Sequence, residues 1–219
     1  MMPESFDLVI FDCDGVLVDS EVLSCRCLAE VLGEHGMTIT ADEVLQRFLG
    51  RSSAAVADYF EEQTGRPLPA TFRAALNRRL ATAFAASLEL IPGAFTVLQN
   101  IGERYCLATS SDPERIEMTL RITRLAPFFD RRVFTASMVA NGKPAPDLFL
   151  LAATQMNATP GRTLVVEDSV NGVLAGKRAG MTVWGFTGGS HYASRDGDRL
   201  LAEAGADRTF HSLDELMLV

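Results

Sequence analysis

Short apolar runs alternate with amphipathic stretches along most of the chain. Runs with the length and composition of β-strands are Phe6–Phe11, Tyr105–Thr109, Arg132–Phe134, Thr163–Glu167, Met181–Phe186 and Asp207–Phe210. Between the later runs, apolar residues recur at helical spacing over Ala94–Glu103, Pro113–Leu125, Asp147–Met156 and Val170–Ala179. This alternation predicts an α/β fold, with a Rossmann-like parallel sheet and helices on both of its faces.

One block of the chain breaks the alternation. Between residues 20 and 90 the apolar positions have helical spacing only, over Glu21–Gly33, Ala41–Phe48, Ser53–Thr64 and Ala70–Ser87. Turn-forming stretches such as "TGRPLP" separate these segments. We therefore predict two domains. Residues 1–19 and 91–219 form an α/β core, and residues 20–90 form an α-helical domain inserted after the first strand.

Composition and charge narrow the functional class. The 219 residues carry a formal net charge of −8, whereas nucleic-acid-binding domains need a basic face. No stretch is apolar for long enough to predict a membrane helix, and the N-terminus lacks the pattern of a signal peptide. The four cysteines show no zinc spacing with the histidines and are expected to be reduced thiols. We expect a cytoplasmic protein, a monomer by default, with no nucleic-acid or membrane partner.

Chemically useful side chains follow the carboxyl ends of the predicted strands. Because those ends meet at one edge of a parallel sheet, where ligands bind in open α/β folds, we expect the side chains to converge. In chain order they are Asp12, Asp14, Thr109, Ser110, Lys143, Glu167 and Asp168.

These residue types suit phosphoryl transfer. Clustered carboxylates need a cation, and oxygen ligands suit Mg²⁺. With Mg²⁺ and Lys143 neutralising the phosphate, Asp12 could attack phosphorus and form an aspartyl-phosphate, while Thr109 and backbone N–H groups bond the phosphoryl oxygens. Asp14 lies two residues further on and therefore faces the same side in an extended chain. It could protonate the departing alkoxide and later accept a proton from water.

Four stretches resemble the four motifs of the haloacid-dehalogenase superfamily, in order and in spacing. They are "DCDGVLVDSE", "ATSSD", "GKPAPDLF" and "VVEDSVNGVLAGKRAGM". The resemblance spans nearly the whole chain and is greatest to sugar-phosphate phosphatases and β-phosphoglucomutase-like proteins. It implies a helical cap over residues 20–90, Asp12 as nucleophile and Asp14 as acid/base. The implied ligands are Thr109, Ser110 and Lys143 for phosphate, and Asp12, the Asp14 backbone oxygen, Asp168 and Glu167 (directly or through water) for Mg²⁺.

The prediction is a phosphatase that hydrolyses a small phosphate monoester, such as a sugar or sugar-acid phosphate. Dehalogenases and phosphonoacetaldehyde hydrolases of the superfamily lack an acid at the position of Asp14. The mutases carry a histidine in the first cap helix where this chain has Ser24, so a β-phosphoglucomutase-type phosphotransferase is the alternative. From another class, a phospho-receiver signalling domain is shorter and has no cap, and a non-catalytic binding protein would not need the complete set of acids and Lys143.

Specificity is expected to come from the helical domain. A helical block that closes over the substrate would exclude water. Glu21, and Arg51 in "FLGRSS", are the candidate substrate contacts there. His191, in "GFTGGSHY" after the fifth strand, is expected to be an ordinary loop histidine.

Overall fold

A parallel β-sheet forms the centre of the larger part of the protein. The computed structural model describes residues 6–49 and 53–217. Its strands are β1 (Leu8–Phe11), β2 (Tyr105–Thr109), β3 (Val133–Thr135), β4 (Thr163–Glu167), β5 (Thr182–Phe186) and β6 (Arg208–Phe210). The six strands lie in the order β3-β2-β1-β4-β5-β6, and each neighbouring pair is parallel.

Helices connect the strands and also form one uninterrupted block. Within the described residues they are α1 (Glu21–Glu34), α2 (Ala41–Phe48), α3 (Ser53–Thr64), α4 (Phe72–Ser87), α5 (Ala94–Asn100), α6 (Pro113–Ile122), α7 (Ala126–Phe129), α8 (Asp147–Gln155), α9 (Val170–Arg178) and α10 (Gly197–Glu203). The chain divides into two compact units, one of Met1–Asp19 with Glu89–Val219 and the other of Ser20–Leu88. We call these the sheet unit and the helical unit.

The sheet is covered on both faces, which explains the continuous apolar runs of its central strands. All residues of β1, β2 and β4 are buried. Leu8 and Ile10 of β1 belong to a core cluster with side chains of α8 and α9. Successive strand residues point to opposite faces. On the other face, the ring of Tyr105 in β2 has edge-on contacts with Phe11 of β1 and with Phe129 of α7.

The helical unit has a core of its own. Side chains from α1, α2, α3 and α4 form one buried cluster that includes Val31, Val44, Phe60 and Phe72. A capping box begins α2, because Thr40 Oγ1 accepts from the Glu43 amide and the Glu43 carboxylate accepts from the Thr40 amide. The helical unit therefore combines a local start signal with its own apolar core.

The predicted fold class is confirmed, and the differences lie at the ends of elements and in short helices. Strand β1 begins at Leu8 rather than Phe6, and β3 is Val133–Thr135 rather than Arg132–Phe134. Helix α5 ends at Asn100 rather than Glu103, and the glycine that follows, Gly102, has a φ of 90°. Helix α6 ends at Ile122 rather than Leu125, because Arg124 has a φ of 60°, which a helix cannot contain. Helices α7 and α10 were not predicted. The four residues of α7 are too few to show a helical period, whereas α10 has seven residues, as many as α5, which was predicted.

The order of the strands reverses between β1 and β4. From β1 the sheet continues through β2 and β3 on one side, and through β4, β5 and β6 on the other. The amide of Asp12, directly after β1, donates to the carbonyl of Val166 in β4 at 3.0 Å. The residues that follow β1 and β4 are thus held side by side at the switch point, where open α/β sheets bind ligands.

Candidate active site

A buried lysine links the ends of three strands. Lys143 Nζ lies 2.6 Å from Asp12 Oδ1 and 2.6 Å from Glu167 Oε1, and it donates to the Ala108 carbonyl of β2 at 3.1 Å. The exposed fractions of the Lys143, Asp12 and Glu167 side chains are only 4%, 9% and 1%. One cation therefore lies between two carboxylates that are almost removed from water.

The loop before α8 delivers this lysine. Within it, the Ala145 amide donates to the Gly142 carbonyl at 3.0 Å, which forms a turn around Lys143. The ammonium also lies 4.8 Å from the ring centre of Phe149, a fully buried residue of α8. This contact is within cation–π range. The position of Lys143 thus depends on both the turn and the packing of α8.

The acids of the site lack full compensation. Burial raises the pKa of Asp12 well above its usual range against the opposing effect of Lys143, and Glu167 and Asp168 add to the rise. Burial followed by the nearby Glu167 raises the pKa of Asp168 in the same way. Burial alone would lower the pKa of Lys143, but the carboxylates of Asp12 and Glu167 raise it above its ordinary value. Lys143 is therefore charged at neutral pH, and the acids around it could accommodate a further cation.

The donor set fits a hard divalent cation that keeps some of its water. Asp168 Oδ2 is buried and makes no hydrogen bond. In the described ranges, no group of three His, Cys, Asp or Glu side chains could hold a metal ion alone. Mg²⁺ is usually bound by one or two carboxylates together with water and substrate phosphate. Asp12, Asp168 and the main-chain oxygen of Asp14 could supply the protein's share of such a site.

Glu167 is fully engaged with other protein groups. Its Oε1 accepts from Lys143, and its Oε2 accepts from the amide and the hydroxyl of Ser169 at 2.7 and 3.0 Å. Ser169 also caps α9, since its Oγ accepts from the Gly172 amide at 3.0 Å. The geometry thus makes Glu167 a partner of Lys143 and of the start of α9.

Asp14 follows in a tight turn after β1. The amides of Leu17 and Val18 donate to the Cys13 carbonyl, and Gly15 has a φ of 76°. A Cβ at Gly15 would overlap the carboxylate of Asp168, so the turn needs glycine for both conformation and space. The half-buried Asp14 carboxylate accepts from Ser111 Oγ at 2.6 Å and from Arg115 at 2.8 Å.

The other predicted phosphate ligands lie at the end of β2. Thr109 is buried, and its Oγ1 accepts from the Ser111 amide at 3.0 Å. Ser110 is exposed. Glu21 begins α1 in the helical unit and is half-buried. Arg51 lies outside the described residues.

Two residues near the site were not anticipated as parts of it. His191 is fully buried, with Nε2 at 3.0 Å from Asp168 Oδ2, and the hydroxyl of the next residue, Tyr192, donates to the main-chain oxygen of Asp168. Arg115 reaches Asp14 from α6. The available signal for His191 was its place just after β5, the neighbour of β4 in the sheet. For Arg115 it was a cation in the first turn of a helix, where anions are favoured.

Residues 6–180 match the family model of the haloacid dehalogenase-like hydrolases. The chain belongs to this family. The 6-phosphogluconate phosphatase of Escherichia coli K12 is 31% identical over 186 residues, which are 84% of each protein. The phosphorylated carbohydrates phosphatase of Thermotoga maritima is 31% identical over 205 residues, covering 91% of this chain and 92% of its own.

The same family likeness appears in the fold. A conserved haloacid dehalogenase-like protein of Agrobacterium tumefaciens, of known structure, is 34% identical with a TM-score of 0.84, and the match covers 97% of this chain and 96% of that one. The chain is therefore a phosphatase of the haloacid dehalogenase-like family. Among its described helices, none is long and apolar enough to cross a membrane.

Proposed function

We propose that this phosphatase hydrolyses a small phosphate monoester, a sugar or sugar-acid phosphate, with Asp12 as its nucleophile. The observation that carries the proposal is a buried carboxylate directly after the central strand, 2.6 Å from the ammonium of Lys143. The names of two relatives support the substrate class, since one acts on 6-phosphogluconate and the other on phosphorylated carbohydrates.

The first half of the reaction transfers the phosphoryl group to Asp12. A carboxylate oxygen of Asp12 forms a bond to phosphorus, and the bond from phosphorus to the ester oxygen breaks. Asp14, in its protonated form, gives its proton to the departing alkoxide, which leaves as an alcohol. Lys143 neutralises part of the charge on Asp12 and on the phosphoryl oxygens.

The second half returns the enzyme to its starting state. Asp14 is now a carboxylate and takes a proton from water, whose oxygen bonds to phosphorus. The bond between phosphorus and the Asp12 oxygen breaks, and inorganic phosphate leaves. Thr109 Oγ1 already accepts from the Ser111 amide, so its own proton is available for a phosphoryl oxygen, and Ser110 offers a second hydroxyl.

The proposal includes Mg²⁺ held by Asp12, the Asp14 main-chain oxygen and Asp168. When bound, Mg²⁺ would supply positive charge to the phosphate and so reduce its repulsion of the attacking carboxylate. We assign Glu167 to Lys143 rather than directly to the metal, because both of its carboxylate oxygens already accept hydrogen bonds. We further propose that residues 20–90 act as the cap, with Glu21 and Arg51 as candidate contacts for the leaving group.

The test combines a substrate panel with trapping of the intermediate. Phosphate release is measured from sugar, sugar-acid and short organic phosphates, with Mg²⁺ and with EDTA. Acid quenching followed by peptide mass spectrometry then looks for one phosphoryl group on Asp12. We expect Mg²⁺-dependent release from a few related compounds, and Asp12→Asn should remove both turnover and the phosphoenzyme. The phosphorylated residue identifies the nucleophile independently of turnover.

The matched control is Asp7→Asn, the same change at the opposite end of β1, where Asp7 pairs with Arg162. It should retain activity. Near-normal turnover by Asp12→Asn would contradict the assignment of the nucleophile. Glucose 1-phosphate, with its bisphosphate activator, is included and followed for isomerisation. Isomerisation without net release would make the protein a mutase despite Ser24.

A further inference from the structure

Arg115 is a cation in the first turn of α6, a position that disfavours cations. The helix begins at Pro113, and the positive end of its dipole lies at this end. Glu114, beside Arg115, is the kind of residue that this position favours. A helix gains nothing from an arginine here, so the reason for the residue lies in what it contacts.

One such contact is the carboxylate of Asp14. A terminal nitrogen of Arg115 lies 2.8 Å from Asp14 Oδ1, and Ser111 Oγ lies 2.6 Å from Asp14 Oδ2. Both partners belong to the segment that leaves the end of β2, and the Ser111 amide is itself fixed to Thr109 Oγ1 at 3.0 Å. The β2–α6 segment thus holds each oxygen of Asp14 with a different group.

The two groups differ in one chemical respect. A guanidinium has only donors, so the oxygen that it holds must remain an acceptor. A serine hydroxyl can either donate or accept. A proton on Oδ1 would point at an N–H group of Arg115, which is also a donor. A proton on Oδ2 can be accepted by the Ser111 oxygen if the Ser111 hydroxyl turns.

We propose that Arg115 is a positioning residue for the proton transfers of this reaction. It fixes the Asp14 carboxylate through Oδ1 and leaves Oδ2 as the oxygen that exchanges the proton. In the first half, the proton leaves Oδ2 for the alkoxide oxygen as the ester bond breaks. In the second half, a water proton goes to Oδ2 as the water oxygen bonds to phosphorus. This inference rests on the role proposed for Asp14.

The experiment compares two leaving groups in Arg115→Ala and Arg115→Lys. The substrates are 4-nitrophenyl phosphate, whose phenolate leaves without help from an acid, and the best sugar phosphate of the panel. We expect Arg115→Ala to lower kcat for the sugar phosphate by roughly 10- to 100-fold, which is less than the roughly 10²- to 10⁴-fold contribution of the acid/base itself because Asp14 is still present. With 4-nitrophenyl phosphate, the variant should release nitrophenolate in its first turnover as fast as the wild type does, and only the later steady rate should fall.

Further readouts separate positioning from substrate binding and from folding. KM should change little, and Arg115→Lys should recover part of the lost rate, because an ammonium can also donate to Oδ1. The matched control is Arg121→Ala, at the exposed end of the same helix, which should behave as wild type. Circular dichroism and the unfolding midpoint confirm that the variants are folded.

Three results would overturn the inference. An equal loss of the first-turnover rate for both leaving groups, with a raised KM, would make Arg115 a substrate ligand, and no loss at all would remove any role. If the wild type forms no phosphoenzyme, the proposed function fails and the inference fails with it. If the wild type forms the phosphoenzyme but the first turnover of the variants slows equally for both leaving groups, the inference alone fails and the proposed function stands.

Discussion

At the scale of single residues, the site contains a buried carboxylate that the fold compensates only in part. The ring nitrogen Nε2 of His191 lies 3.0 Å from Asp168 Oδ2, but no hydrogen bond joins the two atoms. Asp168 is buried, its Oδ2 makes no hydrogen bond, and its pKa is raised by burial and by Glu167. A raised pKa means that the native state binds the proton more tightly than the unfolded chain. Stability is therefore lost as the pH rises from the unfolded pKa, about 3.9, through the folded one, and the penalty is complete above it.

The residue-scale prediction follows from this loss of stability with rising pH. At pH 7 without metal, Asp168→Asn should raise the melting temperature, because the amide keeps the shape of the side chain and removes the charge. Each kcal/mol gained corresponds to about 2–4 °C for a chain of this size. Mg²⁺ should stabilise the wild type and have little effect on the variant. Thermal unfolding with Mg²⁺ and with EDTA measures both effects.

The control for this prediction is again Asp7→Asn, whose carboxylate is exposed and paired with arginine. It should retain the full Mg²⁺ response without gaining stability in EDTA. If Asp168→Asn retained an undiminished Mg²⁺ response, Asp168 would not be a ligand. If Asp168→Asn were less stable than the wild type in EDTA, the buried charge of Asp168 would be stabilised by its neighbours rather than destabilising the fold.

The sequence predicted which acids and which lysine lie together, but not what holds them. Asp12, Lys143 and Glu167 were predictable because each lies at the end of a strand or in the loop after one. The topology of a parallel sheet brings strand ends to one edge. The contacts of Arg115 and His191 depend on how a helix turn and a loop fold back onto that edge. The periodicity of the sequence does not show how a helix turn or a loop packs against the sheet edge, so the contacts of these two residues became visible only in the structure.

At the scale of elements, strands were easier to predict than helix ends. A central strand that is buried on both faces is mostly apolar, as Leu8–Phe11 is throughout and Tyr105–Thr109 is up to its final threonine. The end of a helix depends on one residue that leaves the helical conformation, such as Arg124 with its positive φ. Since arginine is an ordinary helix residue, nothing in the sequence marks that end.

The element-scale prediction concerns Asp207, which joins α9, β5 and β6. Both of its carboxylate oxygens accept from Lys177, at 2.6 and 2.7 Å, and Oδ2 also accepts from the Val183 amide at 2.8 Å. Partial burial acts to raise the pKa of Asp207, but these bonds outweigh it and lower the pKa below its ordinary value. The ionised form therefore stabilises the fold above the unfolded pKa, about 3.9, and this stability is lost as the pH falls through the folded pKa.

Asp207→Asn should consequently lower the free energy of unfolding at pH 7, and the loss should shrink below about pH 4. Because the side chain is 41% exposed, water screens the pair, and we expect a loss of about 0.5–1 kcal/mol. Urea titrations at several pH values measure it. Glu203→Gln, which removes only an exposed contact with Arg199 at 3.7 Å, should change nothing measurable. An Asp207→Asn effect that did not depend on pH would contradict the ionic explanation.

At the scale of the whole molecule, the helical unit is an insertion in the chain of the sheet unit. The two segments of the sheet unit that flank the insertion lie next to each other. The Asp19 amide donates to the Glu89 carbonyl at 2.9 Å, and the Ile91 amide donates to the Leu17 carbonyl at 3.0 Å. Val18 and Leu90 form an antiparallel bridge between these segments. A two-residue hairpin turn can connect antiparallel segments at this distance. The two apolar cores also consist of different residues.

The last prediction is therefore that the sheet unit folds without the insertion. A variant in which Asn-Gly replaces residues 20–88 should unfold in one cooperative transition, because its core and its sheet are intact. It should still hydrolyse 4-nitrophenyl phosphate, since Asp12, Asp14, Lys143 and Asp168 all lie in the sheet unit. If residues 20–90 supply specificity, kcat/KM should become similar for all sugar phosphates of the panel. A folded variant that still preferred the wild-type substrate would place specificity in the sheet unit, and a variant that did not fold would show that the sheet unit needs the helical unit for stability.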